Sequence, residues 1–282
     1  MKKLRESFKY HLKKLYKLVT TKIELFVITL FYVNKNKVLK PIIIQNRNTL
    51  REITNFLDEE IYLKNDYGIQ KRIFDKLNAP ISNNLTYSDL LVYFQKKFFT
   101  TGMNYLEIGC SVLKNFIQIK YNASNSILVC YDINEINPTL KDEFYKIKNN
   151  NQTSYFQGDV TNNIDAKNFN NQYNLKFDLI FSDALHNEQG VFSEYKNIYF
   201  NQLSENFIIY YDDFEFQGVK QAALNIKKDL ISRNIKVDLY QFNVYGWIGE
   251  HEKTHINGII TNIDLLSALF EDEIKIYKFK KL

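Results

Sequence analysis

Apolar positions in the first twenty residues recur at helical spacing: Leu4, Phe8, Leu12, Leu15 and Val19 form one stripe, and Lys2, Lys3, Arg5, Lys9, Lys13 and Lys17 lie mostly around the other faces. This pattern predicts a basic amphipathic helix. Two β-rich runs follow, residues 23–33 and 38–45, parted by Asn34-Lys-Asn-Lys37. A short polar connection between strand formers reads as a hairpin, although a continuous apolar helix gives the same pattern. Helical text resumes at 49–57 and 70–77 and is closed by Ala79-Pro80. Residues 86–98 then read as a helix with Thr86 or Ser88 as its cap.

From residue 104 the pattern changes to short apolar runs separated by helical stretches. Strands are expected at 105–108, 127–131, 154–157, 177–182, 207–211, 237–244 and 256–261. Between them lie helices at about 139–148, with Pro138 at the start, at 188–201, and at 217–233, where Val219, Ala222, Ala223, Ile226, Leu230 and Ile231 make an apolar stripe. Residues 245–251 have the length of a hairpin loop, so the last core strand is expected antiparallel. A short helix at 265–270 and a basic end at 275–281, a solvated tail or an edge strand, complete the chain. The alternation predicts an α/β fold: a doubly wound, seven-stranded, mostly parallel sheet over 86–282, preceded by an α/β extension over 1–85. No internal repeat is visible.

With 282 residues, 45% of them hydrophobic, the chain is long enough to bury a sizeable core. The run at 23–33 contains Glu24 and falls short of the ~20 apolar residues a membrane span needs. It also lacks a signal-peptide cleavage site. The expected location is therefore cytoplasmic. Two cysteines, Cys110 and Cys130, are too few for a disulfide scaffold and fit a reducing compartment. The net charge of +5 is too mild to demand a nucleic-acid partner. The basic helix over 1–20 could lie on an anionic membrane surface, but docking on its own protein with its lysines solvated is the favoured reading.

In an open parallel sheet, ligands sit outside the carboxyl ends of the strands. Glu107, Gly109, Ser111 and Asp132 all fall there. Gly109 lets the backbone turn and approach a ligand, and Asp132, at the next strand end, is placed to accept both hydroxyls of a ribose. A dinucleotide fingerprint needs G-x-G-x-x-G; Gly109-x-Ser111-x-x-Lys114 does not supply it. Glu107-Ile-Gly109-Cys-Ser111 instead resembles the E-x-G-x-G motif of class I S-adenosylmethionine-dependent methyltransferases, with Ser111 and Leu113 where small residues are usual. The resemblance spans residues 104–261. It implies S-adenosylmethionine as cofactor, Asp132 as the ribose-binding acid, and Asp159, after the third strand, facing the adenine.

A second constellation lies at the ends of strands four and five, where Asp183, His186, Asp212 and Asp213 stand. Like charges packed together need a cation or raised pKa values, and oxygen ligands of this kind suit Mg²⁺ or Ca²⁺. The pattern is similar to that of metal-dependent O-methyltransferases, in particular a sugar-modifying branch with D-x-D-H on strand four and an Asp-Asp pair after strand five. That likeness implies Asp183, Asp212 and Asp213 as metal ligands. The motif's catalytic-base position is Leu185 here, so His186 is the substitute general base expected beside Asp183. Asp at strand ends also serves as an ordinary helix cap. His251 and His255, with Glu250 and Glu252, lack the order of a zinc motif, and Trp247 is a stacking or anchoring aromatic. The expected function is O-methylation of a small hydroxylated acceptor such as a sugar. The alternatives are methylation of nucleic acid or protein, and a non-catalytic binding protein on the same fold.

Overall fold

The structure is a computed structural model that describes residues 36–54, 84–246 and 254–282, together with Leu12, Leu15, Tyr16, Val19, Thr20 and Ile23. The expected run at 23–33, the helix at 70–77, and Trp247, Glu250, His251 and Glu252 lie outside the described residues, Ile23 excepted. So does most of the basic helix; its described positions Leu12, Leu15 and Val19 are helical and exposed.

Residues 38–45 are not a strand. They open helix α1 (Leu39–Thr54). The Asn36 side chain sets its start: Oδ1 accepts from Val38 N and Leu39 N at 2.9 Å each, while Nδ2 donates to the Asp272 and Glu273 carbonyls. Pro41 lies in the first turn, where its missing N–H costs no hydrogen bond. Burial of Leu39, Ile42, Ile43, Leu50 and Ile53 overrides the β preference of the isoleucines. Helix α2 (Tyr87–Phe98) begins as expected, at a capping box formed by Thr86 and Asp89. The same Asp89 receives both guanidinium nitrogens of Arg47 on α1, at 2.7 and 3.1 Å, with the two side chains 0–1% exposed.

The strands are β1 (Asn104–Ile108), β2 (Ile127–Asp132), β3 (Gln152–Gln157), β4 (Phe177–Ser182), β5 (Leu203–Tyr211), β6 (Asp238–Tyr245), β7 (Thr254–Thr261) and β8 (Tyr277–Lys281). They form one eight-stranded sheet in the order β3-β2-β1-β4-β5-β7-β6-β8. The expectation of seven mostly parallel strands needs correcting: β1 to β5 pair in parallel, and the β5–β7, β6–β7 and β6–β8 pairs are antiparallel. The extra strand comes from the basic end of the chain. Its Phe279 stacks on Tyr240 and Phe242, burying apolar area that a free tail would leave wet.

Helix α3 (Lys114–Asn122) and the short α4 (Lys141–Tyr145) join α1 and α2 on one face of the sheet, with α8 (Leu265–Glu271). The helix expected over 139–148 is thus a 3₁₀ turn, Pro138–Leu140, followed by α4 alone. Helices α5 (Asn163–Gln172), α6 (Glu188–Glu194) and α7 (Gln217–Ser232) cover the other face. After α6 the chain runs on through one π turn, Tyr195–Tyr199. Within β4, Leu179 and Phe181 belong to one apolar layer and Ile180 to the other, which is why this strand shows no polar alternation. Among the described residues, no helix is long and apolar enough to cross a membrane.

Candidate active site at the carboxyl edge of the sheet

The ends of β1, β2 and β4 are tied level by backbone bonds: Gly109 N donates to Tyr131 O and Asp183 N donates to Ile108 O, each at 2.9 Å. Gly109 has φ +86, and a Cβ there would stand 2.7 Å from the Asp183 carbonyl carbon and oxygen. Only glycine fits that turn. Ser111 and Leu113, where small residues are usual in the family resembled, adopt φ 47 and 57. Both positions therefore hold left-handed backbone, which glycine adopts without strain and residues with a Cβ do not.

That turn aims the Ser111 N–H at Asp132 Oδ2, 2.9 Å away, while Asp132 Oδ1 accepts from Asn134 N at 2.9 Å. Each carboxylate oxygen has a second lone pair for a ligand hydroxyl. Glu107 is buried and accepts from the Tyr105 hydroxyl at 2.6 Å and Asn115 Nδ2 at 2.9 Å. Burial pushes its carboxyl up to about 7, opposed by Tyr105, the Lys114 ammonium and Asn115. Lys114, the first residue of α3, is itself buried and also counteracts the upward shift of Asp183. Nothing in the sequence pattern had singled it out as part of this edge. Asp159 follows β3, and its Oδ1 accepts from Thr161 N and Oγ1, the contacts of a turn residue. Both cysteines are buried free thiols, and burial moves Cys110 up to about 12.

At the β4 and β5 ends, the carboxylates and imidazoles interleave. His186 Nε2 is 3.0 Å from Asp213 Oδ2, and His255 Nδ1 is 3.6 Å from Asp213 Oδ1. Asp213 holds φ 51, a left-handed conformation at a residue with a Cβ. Burial alone would raise its pKa; the two imidazoles outweigh burial and hold it below the usual carboxylate range. Both histidines are raised in return, first by Asp213. Burial and then Asp212 push Asp183 well above its ordinary value, and burial and then Asp213 bring Asp212 up to about 6. Asp212 is fixed by Asn257 Nδ2 at 2.6 Å, and Asn257 Oδ1 accepts from the Tyr210 hydroxyl at 2.7 Å. Tyr87, on α2, lies in the field of Asp212, Asp183 and Glu107; burial, followed by those charges, keeps its hydroxyl protonated.

The implied Mg²⁺ fits this donor set poorly. The two groups of described residues whose ligand atoms lie within 4.8 Å of one another are Asp183–His186–Asp213 and Asp212–Asp213–His255. Each includes an imidazole, whereas Mg²⁺ takes oxygens in a near-ideal octahedron. His255 arrives from the antiparallel β7, and no motif in the sequence foretells its meeting with Asp213.

No protein-family model matches the chain, and no curated protein matches it. Solved structures similar to it include an O-methyltransferase from Bacillus cereus in complex with SAH, at 13% identity and a TM-score of 0.46, covering 86% of this chain and 99% of that one. Another is the plantazolicin methyltransferase BpumL in complex with SAH, at 13% identity and TM-score 0.44, covering 80% and 98%. A third is a spermidine synthase from Thermotoga maritima, at 12% identity and TM-score 0.40, covering 61% and 59%. Likenesses this distant carry no argument about activity. The sheet agrees in part with the expected class I methyltransferase fold: parallel strands are wound both ways from β1 and an antiparallel strand lies between β5 and β6, with β8 added at the edge.

Proposed function

We propose that the chain is an S-adenosylmethionine-dependent methyltransferase acting on a hydroxyl of a small acceptor such as a sugar. The observation that carries this reading is the His186–Asp213 pair on the same sheet edge as the Gly109 turn and Asp132. When bound, S-adenosylmethionine supplies an electrophilic methyl group on a sulfonium sulfur, which takes the electron pair of the broken C–S bond as the new C–O bond forms. Asp132 accepts the ribose hydroxyls, and the buried Glu107, its pKa raised to about 7, would be drawn toward its ionised form by the cationic end of a bound cofactor.

His186 accepts the acceptor's hydroxyl proton. With Nε2 donating to Asp213, the free lone pair is on Nδ1, and the resulting imidazolium is stabilised by the Asp213 carboxylate. The imidazole is 43% exposed, so a small acceptor reaches it from solvent. Leu185, where the base was expected from the resemblance, has no group that takes a proton.

Thermal denaturation with and without the demethylated cofactor tests binding: a rise in Tm that Asp132→Ala abolishes is expected, and no rise at millimolar ligand overturns the reading. Label transfer from S-adenosylmethionine to a panel of sugars and other polyols then tests the acceptor class. Binding without transfer to any of them would leave a binding protein rather than an enzyme.

A further inference from the structure

We infer that Asp212, Asp213 and His255 form a mixed nitrogen and oxygen site for one borderline divalent transition ion of the Zn²⁺ class, and that Mg²⁺ is not its ligand. The site adjoins the proposed base, but the inference stands on the donors alone and does not require methyl transfer.

Three observations carry it. The first is a spacing. His255 Nδ1 and Asp213 Oδ1 are 3.6 Å apart, too far for a hydrogen bond. Two ligand atoms at bonds of ~2.0–2.2 Å on a tetrahedral ion stand ~3.3–3.6 Å apart. Neighbouring ligands on an octahedral Mg²⁺, at ~2.0–2.1 Å and right angles, would be only ~2.9 Å apart. The second is an orphaned donor. His255 Nδ1 is buried and has no hydrogen-bond partner among the described residues, while Glu215 Oε1 lies a further step away at 3.9 Å. An imidazole nitrogen ion-paired with two carboxylates, but at hydrogen-bonding distance from neither, is placed to share an ion with them, and imidazole suits Zn²⁺, Co²⁺ and Ni²⁺ rather than Mg²⁺.

The third is the support behind the acids. Asp212 Oδ1 accepts from both Asn257 Nδ2 and Asp213 N, and Asn257 is in turn held by Tyr210, a fully buried chain that fixes the carboxylate's direction. Hydrogen bonds of this outer kind orient metal ligands and set affinity. On the far side of Asp213, Oδ2 belongs to His186. One carboxylate then serves two roles, with Oδ1 on the ion and Oδ2 on the base.

Calorimetric titration of the metal-stripped full chain with Zn²⁺ alone, and separately with Mg²⁺ alone, tests this. One Zn²⁺ per chain is expected, with no displacement by equimolar Mg²⁺ and an affinity lowered at least about 10-fold by His255→Asn. His186→Gln, which removes only the partner of the outer oxygen of Asp213, should lower that affinity by less than His255→Asn does. Unchanged affinity in His255→Asn, equal binding of Mg²⁺, or an equal loss in His186→Gln overturns the assignment. Should His255→Asn fail to fold, X-ray absorption of the unaltered Zn²⁺-loaded chain decides: one imidazole is expected on the ion, and none refutes the site. Binding of the demethylated cofactor, followed in parallel, keeps a failure of this site separate from a failure of the proposed activity.

Discussion

Gly109 and Asp183 touch backbone to backbone: a side chain at the first would fall 2.7 Å from the carbonyl of the second, 74 positions later in the chain. The contact joins the cofactor turn to the acid cluster. Gly109→Ala should cost about 1–3 kcal/mol from backbone strain, with added loss from the clash, and should weaken binding of the demethylated cofactor. Denaturant titration and thermal shift measure both.

The neighbouring left-handed residues respond in opposite ways. Ser111 is only partly buried, so Ser111→Gly relieves strain of about 1–2 kcal/mol, less the extra unfolded-state freedom of glycine, and should stabilise by about 0.5–1 kcal/mol net. Leu113 is fully buried, and Leu113→Gly removes a side chain whose burial contributes about 1.5–3 kcal/mol. It should destabilise. If both variants gain stability in urea denaturation, Leu113 is not a core residue.

The His186–Asp213 pair fixes the sign of a pH profile. Asp213 raises the His186 pKa above its ordinary 6.5, and only the neutral imidazole accepts a proton. kcat/KM should therefore rise with pH through an inflection above 6.5 and level off beyond it. In Asp213→Asn the inflection should move down toward the ordinary value, with lower activity on the plateau. An inflection that stays put would mean that another group is titrating.

Glu194 lies wholly buried, and hydrogen bonding by Ser182 opposes the effect of burial only in part. Burial raises its pKa from 4.5 to about 8. The folded state thus holds a proton that the unfolded chain releases earlier. Its advantage is complete below pH 4.5, declines by up to ~1.4 kcal/mol per pH unit, and is gone above about 8. Glu194→Gln, which keeps the shape and carries no charge, should flatten this decline. Tm measured across that pH range checks the prediction, and parallel slopes for the two proteins would contradict it.

Arg47 on α1 meets Asp89 at the cap of α2 where water does not reach. Arg47→Met leaves the Asp89 charge buried without its partner and should cost about 3–5 kcal/mol. Urea denaturation of the full chain measures it. A loss under 1 kcal/mol would mean that α1 is not docked there.

Much of this architecture follows from local pattern. Short apolar runs ending in acids at 107, 132, 183 and 212 announce strands buried on both faces, and the rule that ligands gather at strand carboxyl ends needs no coordinates. Thr86 with Asp89 three residues on marks a helix start just as legibly.

Other features depended on contacts between distant segments. Residues 38–45 carry strand formers, yet Asn36 and an apolar face against α2 and α3 make them helical, because burial outweighs a preference worth well under 1 kcal/mol per residue. Leu113 keeps a glycine's conformation because the core holds its side chain in place. His255 meets Asp213 only because β7 is inserted antiparallel beside β5, with Gly258 opposite Tyr211 and three residues left to run past the end of the acid-bearing strand. Sequence determined which residues could reach the edge of the sheet. Pairing across the sheet, which no single segment encodes, decided which of them face one another.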